Sequence, residues 1–175
     1  MNQAPKVRVY IGLGSNLNAP VAQVKTALTA LDAIPGTCRV QHSSLYRSAP
    51  LTLDATVTQP DYINAVAAFD TSLEPLQLLA ELQALEQHQG RTRNVERWQP
   101  RTLDIDLLLY ADQQWMSEEL TVPHPRLHER SFVLYPLFEI APDLHVPGHG
   151  SVRELAARCR IHDTLSCSPL CMTSS

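Results

Sequence analysis

The chain has 175 residues, 44% hydrophobic and 18% charged, a composition and length that suit one globular domain with a sizeable core. A formal net charge of −4 argues against a general nucleic-acid binder, and no apolar run approaches the roughly 20 residues that span a bilayer. Met1-Asn2-Gln3-Ala4-Pro5-Lys6 lacks the apolar centre of a signal peptide, so the expected location is cytoplasmic, and the cysteines at 38, 159, 167 and 171, with no CxxC, are expected as free thiols.

Val7 to Ile11 alternates weakly and predicts a first strand that stops at glycine. Pro20 to Leu31 places Val21, Val24, Ala27, Leu28 and Leu31 at helical spacing, and Pro35-Gly36 stops it. Arg39 to Tyr46 and Tyr62 to Phe69 predict the next two strands. Between them Arg47 to Asp61, with Pro50 and Pro60, is too long for a hairpin turn and marks a functional loop. Glu74 to Gln89 is the clearest helix, with Leu76, Leu79, Ala80, Leu82 and Leu85 as its apolar stripe and Pro75 in the first turn. After the loop Gly90 to Arg101 come a strand over Thr102 to Tyr110, a short edge strand over Gln114 to Leu120, a helix over Arg130 to Phe138 and a final helix over Ser151 to Cys159. The order βαββαβ predicts a ferredoxin-like α+β fold, an antiparallel sheet with helices packed on one face. Residues 1–159 are expected as one domain and 160–175 as a flexible tail.

The chemistry concentrates in Arg97-Trp98-Gln99-Pro100-Arg101-Thr102-Leu103-Asp104-Ile105-Asp106. Strand side chains alternate, so Asp104 and Asp106 leave one face together and suit one or two divalent cations. Mg²⁺ takes one or two carboxylates plus substrate phosphates, which predicts a metal arriving with a nucleotide. The pair is also compatible with the solvated face of an edge strand neutralised by arginines. Arg91, Arg93, Arg97 and Arg101 put four of the 14 Lys and Arg residues into eleven positions, and Arg126 and Arg130 lie near His124. Planar guanidinium groups clustered in an acidic chain point to a small phosphate-bearing anion, or to a solvated basic loop.

Other residues are more ambiguous. Gly12-Leu13-Gly14-Ser15 lacks the third glycine of a dinucleotide loop and fits a tight turn, with Ser15 or Asn16 capping the next element. His124 sits between Pro123 and Pro125, where the backbone is stiff, yet a loop histidine is also an ordinary surface residue. His128 is not read with it as a zinc site. Trp98 is either a loop anchor over apolar core or a stacking surface, and Tyr62 and Phe132 are equally compatible with the core.

Three collinear blocks, Val9 to Leu17, Arg97 to Asp106 and Leu120 to Phe132, resemble the 6-hydroxymethyl-7,8-dihydropterin pyrophosphokinase family of folate biosynthesis, with the similarity running over roughly residues 7 to 158. The resemblance implies the ferredoxin-like fold with extra C-terminal elements and a transfer of pyrophosphate from ATP to the pterin hydroxymethyl oxygen, releasing AMP. It implies two Mg²⁺ ions on Asp104 and Asp106, with Arg97 and Arg101 nearest the transfer. For ATP it implies Gln83 and Glu86 near the adenosine, Arg91, Arg93, Arg97, Arg101, His124 and Arg130 on phosphates, and Leu107 and Thr121 beside them. For the pterin it implies Ser48, Ala49 and Leu51 through backbone groups, and Tyr62, Asn64, Trp98 and Phe132, with the glycine block as pocket wall. Gln99 and Glu119 depart from the family pattern. The implied partners are these two small molecules, with no nucleic acid and no membrane, and the implied state is a monomer. A non-catalytic pterin- or nucleotide-binding regulator on the same fold, and a kinase that transfers only the γ-phosphate, remain as alternatives.

Overall fold

A computed structural model describes residues 5–50, 59–89, 102–162 and 167–170. Its centre is β1 (Val7–Ser15), which pairs antiparallel with β4 (Tyr62–Thr71) on one side and β5 (Asp104–Tyr110) on the other. β1 therefore runs on through Gly12, Gly14 and Ser15 rather than stopping at glycine. With a strand on each side, its backbone groups are met by ladders, and extended geometry suits glycine there without a turn.

The predicted second strand is two strands, β2 (Thr37–His42) and β3 (Tyr46–Ser48), laid end to end along β4. The break is local chemistry. The Ser43 N–H donates to the Val66 carbonyl and the Val66 N–H to Ser43 Oγ, so a hydroxyl replaces part of the ladder.

α1 (Pro20–Leu31) has the predicted bounds, and α2 (Pro75–His88) starts at a capping box in which the Glu74 N–H donates to Gln77 Oε1 at 3.1 Å. Both pack on one face of the sheet, where Val24, Leu28, Leu31, Leu78 and Leu82 meet Ile11, Phe69 and Leu107. The buried row of α2 is Pro75, Leu78, Leu82 and Glu86, and Leu76 is exposed. The phase differs from the predicted stripe because Glu86, a polar residue, occupies the next buried position at i+4 spacing.

The extra C-terminal elements cover the opposite face. α3 (Ser131–Ile140) and α4 (Val152–His162) bury Leu134, Leu137, Val152 and Leu155 against Tyr10, Val66, Ala68 and Leu108. Two short hairpins follow: β6 (Trp115–Met116) with β7 (Thr121–Val122), whose Trp115 and Val122 join the core beneath α1 and α2, and β8 (His145–Val146) with β9 (Gly150–Ser151), whose Val146 joins the core beneath α3. Part of the expected tail is also structured: β10 (Cys167–Pro169) pairs with β3, and the main sheet reads β10-β3-β4-β1-β5 with β2 beside β3 on β4. The βαββαβ core with two helices on one face is the ferredoxin-like plan. Among the described residues no helix is long and apolar enough to cross a membrane.

Candidate active site

A cleft of about 400 Å³ opens on the α3 side of the sheet. Its floor follows from the strand register. Gly12 lies between Val66 on β4 and Asp106 on β5, and Gly14 between Asn64 and Asp104. Two glycines on one face of the central strand leave a trough with a carboxylate row on one bank and Asn64 on the other. A Cβ on Gly14 would lie 3.3 Å from Asn64 Oδ1, and one on Gly12 would lie 3.3 Å from the Leu108 methyls. The glycine block is thus the cleft floor. The expected cap is absent: Ser15 Oγ donates to the Thr102 carbonyl and Asn16 Nδ2 to the Pro60 carbonyl, while α1 begins at Ala19 with no side-chain cap.

Asp104 and Asp106 line the cleft half-buried, and the intervening Ile105 joins the core on the other face. Beyond them the register shifts: Ile11 faces Leu107 while Tyr10 faces Leu109, which leaves Leu108 as a bulge residue. The bulge has a use. Its carbonyl accepts the His124 N–H at 2.8 Å and so ties the Pro123-His124-Pro125 loop to the aspartate strand.

His124 Nδ1 accepts the Arg126 backbone N–H at 3.2 Å, which leaves the ring proton on Nε2. Burial, with the Arg130 guanidinium nearby, pushes its pKa down to about 4, so the ring is neutral at pH 7 and donates without carrying charge. Arg130 is also depressed by burial, with Asp106 acting in the opposite direction. Among the described residues its Nε has no hydrogen-bond partner, and its guanidinium lies 5.6 Å from the Phe132 ring centre. A buried donor beside two carboxylates and a neutral imidazole suits an oxygen-rich anion.

The wall opposite the carboxylates brings together Ser48, Ala49, Tyr62 and Asn64, with Phe132 reaching in from α3. Asn64 Nδ2 donates to Ser48 Oγ at 2.9 Å. A flat aromatic edge next to a fixed amide can stack and read a heterocycle. Arg126, expected as part of the arginine cluster near His124 but given no individual ATP or pterin contact, also lines the cleft. Its Nε sits 3.4 Å from Glu129 Oε2, and the sequence signal for it was its place directly after His124-Pro125.

Some predicted residues lie elsewhere. Leu107 turns its side chain into the core beneath the sheet, Thr121 sits in the β6–β7 hairpin, and Gln83 and Glu86 are on α2. None of these four lines the cleft. Glu86 is buried and accepts the Ile105 N–H at 2.7 Å. His128 stacks on His149 with ring centres 4.1 Å apart. Leu51, Arg91, Arg93, Arg97, Trp98 and Arg101 fall outside the described residues. Among the described residues no group of three or more His, Cys, Asp or Glu side chains is placed to hold a metal. Two hard oxygen donors on one bank nevertheless fit Mg²⁺, which completes its shell from phosphate and water.

Residues 10–142, which include every cleft residue named above, match the model of the 7,8-dihydro-6-hydroxymethylpterin-pyrophosphokinase family. The chain belongs to this family. Among its pterin pyrophosphokinase relatives is a 2-amino-4-hydroxy-6-hydroxymethyldihydropteridine pyrophosphokinase of Haemophilus influenzae, 47% identical over 163 residues, or 93% of this chain and 99% of the relative. A folic acid synthesis protein of Schizosaccharomyces pombe is 38% identical over 138 residues, 79% of this chain and 18% of that one. The crystal structure of Plasmodium falciparum HPPK-DHPS with pteroate superposes with a TM-score of 0.71 at 12% identity, which shows a shared fold. That alignment covers 90% of this chain, which spans only 43% of the solved one.

Proposed function

We infer that the protein is a pyrophosphokinase of folate biosynthesis that transfers the pyrophosphoryl group of ATP to the hydroxymethyl oxygen of 6-hydroxymethyl-7,8-dihydropterin, releasing AMP. In this step the bond from the hydroxyl oxygen to the β-phosphorus forms, and the bond from that phosphorus to the α-phosphate oxygen breaks. The observation that carries the reading is the pairing of Asp104 and Asp106 with Gly14 and Gly12. It sets two carboxylates across a side-chain-free floor from a wall suited to a heterocycle.

Position in the cleft supports the roles of Tyr62, Asn64, Phe132, His124, Arg130, Asp104 and Asp106, and the family resemblance those of Arg91, Arg93, Arg97 and Arg101. Tyr62, Asn64 and Phe132 would hold the pterin with its hydroxymethyl group toward the carboxylate bank. Neutral His124, through Nε2–H, and Arg130 would bind phosphate oxygens, in company with Arg91, Arg93, Arg97 and Arg101. Asp104 and Asp106 would hold two Mg²⁺ ions. Bound there, Mg²⁺ supplies charge neutralisation on the phosphates and acidifies the acceptor hydroxyl. Each donor aimed at transition-state charge contributes on the order of 3 kcal/mol, about a hundredfold in rate.

The test is incubation of the protein with ATP, Mg²⁺ and 6-hydroxymethyl-7,8-dihydropterin, with the nucleotides resolved by chromatography. Pterin-dependent AMP is the expected product. ADP would replace the reading with a γ-phosphate kinase, and pterin binding without turnover would replace it with a binding regulator.

A further inference from the structure

We propose that the Ser48 hydroxyl is a positioning group that anchors the Asn64 amide in the direction the Tyr46 carbonyl selects, and thereby gives the cleft wall an acceptor, not a donor, where it meets the ligand ring. The inference rests on the pterin reading of the site.

Asn64 is 4% exposed and Ser48 1% exposed, so neither relies on solvent to satisfy its polar atoms. Asn64 Nδ2 donates to Ser48 Oγ at 2.9 Å and to the Tyr46 carbonyl at 3.4 Å. A backbone carbonyl only accepts, so the amide nitrogen belongs on that side; the flipped amide would set two oxygens against each other. The Tyr46 contact is long, and the Ser48 contact is therefore the main restraint. With the nitrogen held, Oδ1 points over the floor, 3.3 Å from where a Gly14 side chain would begin. The serine is itself held on both sides, opposite Tyr62 on β4 and Cys167 on β10.

An acceptor fixed in a narrow cleft selects a ring edge that presents N–H donors. A 2-amino pyrimidinone edge has them, at the exocyclic amine and the lactam nitrogen. The inference assigns Ser48 to ring discrimination rather than to phosphate transfer.

The experiment compares wild type, Ser48→Ala, Ser48→Cys and Ser48→Thr in the AMP-release assay and by fluorescence titration with 6-hydroxymethylpterin. Ser48→Ala is expected to raise the pterin KM and Kd about tenfold, with KM for ATP within about twofold, because one buried amide loses its partner. Ser48→Cys, close in size with a weaker acceptor, shifts the same values less, and Ser48→Thr, which keeps the hydroxyl, restores them. A pterin analogue methylated at the lactam and 2-amino nitrogens should bind wild type and Ser48→Ala equally. Unchanged pterin affinity in Ser48→Ala, parallel shifts in both KM values, or loss in Ser48→Thr equal to that in Ser48→Ala would overturn the proposal. Absence of AMP from the wild type would instead overturn the functional reading, while the titration would still decide the role of Ser48.

Discussion

The carboxylate of Glu86 accepts the backbone N–H of Ile105, the residue between Asp104 and Asp106, at 2.7 Å. β5 is the outer strand of the main sheet, so this N–H lies on the side away from β1, and α2 brings a buried acceptor to it. Removing that acceptor leaves a buried donor unmet, which costs about 1–3 kcal/mol. Glu86→Ala is expected to lose that much stability in urea unfolding and to lower AMP release, whereas Glu86→Gln, which can still accept, retains most of both. An alanine variant as stable as wild type would remove Glu86 from this role.

Asp104→Asn and Asp106→Asn each remove one anionic oxygen donor while keeping size. Each should reduce pterin-dependent AMP formation by at least about a hundredfold, consistent with loss of a group acting on transition-state charge. Melting temperatures should stay close to wild type, since both side chains are only half-buried. Full activity in either variant would contradict the metal assignment.

His124 carries a pH signature. Its folded pKa of about 4 lies below the ordinary value near 6.5, so between these values the unfolded chain binds a proton that the folded chain refuses. Above pH 6.5 the residue adds no pH dependence. As pH falls from about 6.5 to about 4 it progressively destabilises the ligand-free protein, and below that the penalty is constant. His124→Gln should flatten this part of the stability profile, and nitrogen NMR of the wild type at pH 7 should show a neutral ring protonated on Nε2. An imidazolium at pH 7 would refute the assignment.

The two floor glycines should respond differently to alanine. At Gly14 the new methyl approaches Asn64 Oδ1 at 3.3 Å, and Asn64 is held in place, so Gly14→Ala should raise the pterin KM more than it lowers stability. At Gly12 the methyl meets the buried ends of Leu108, and overpacking of that kind costs about 1–3 kcal/mol. Gly12→Ala should therefore show mainly as a lower melting temperature. Thermal unfolding together with substrate KM separates the two.

Much of the architecture was legible in the sequence. α1 was bounded by Pro20 at its start and an apolar period of 3.6, and its limits coincide with those predicted. The carboxylate pair followed from strand alternation alone, and Asp104 and Asp106 do share a face. What local pattern could not carry was partnership across the sheet. Gly12 and Gly14 look like turn residues until β4 and β5 flank them. β10 has no apolar period, and only the open edge of β3 makes it a strand. Arg126 belongs to the cleft because its loop is tied to a bulge, and a bulge leaves no trace in composition.

The bulge at Leu108 also bears on how this stretch can vary between relatives. Upstream of it, even-numbered side chains face the cleft; past it, Leu109 joins the core beneath α3, and Tyr110 the core beneath α1 and α2. A one-residue deletion at Leu107 or Leu108 would absorb the bulge, leaving Asp104 and Asp106 on the cleft face and Leu109 and Tyr110 on theirs, but it would take away the carbonyl that holds the His124 loop. A one-residue insertion has no such outlet, because it would turn either the carboxylates or the far end of the strand to the wrong face. Gaps here should therefore go with changes in the His124 loop, and insertions should be rarer than deletions.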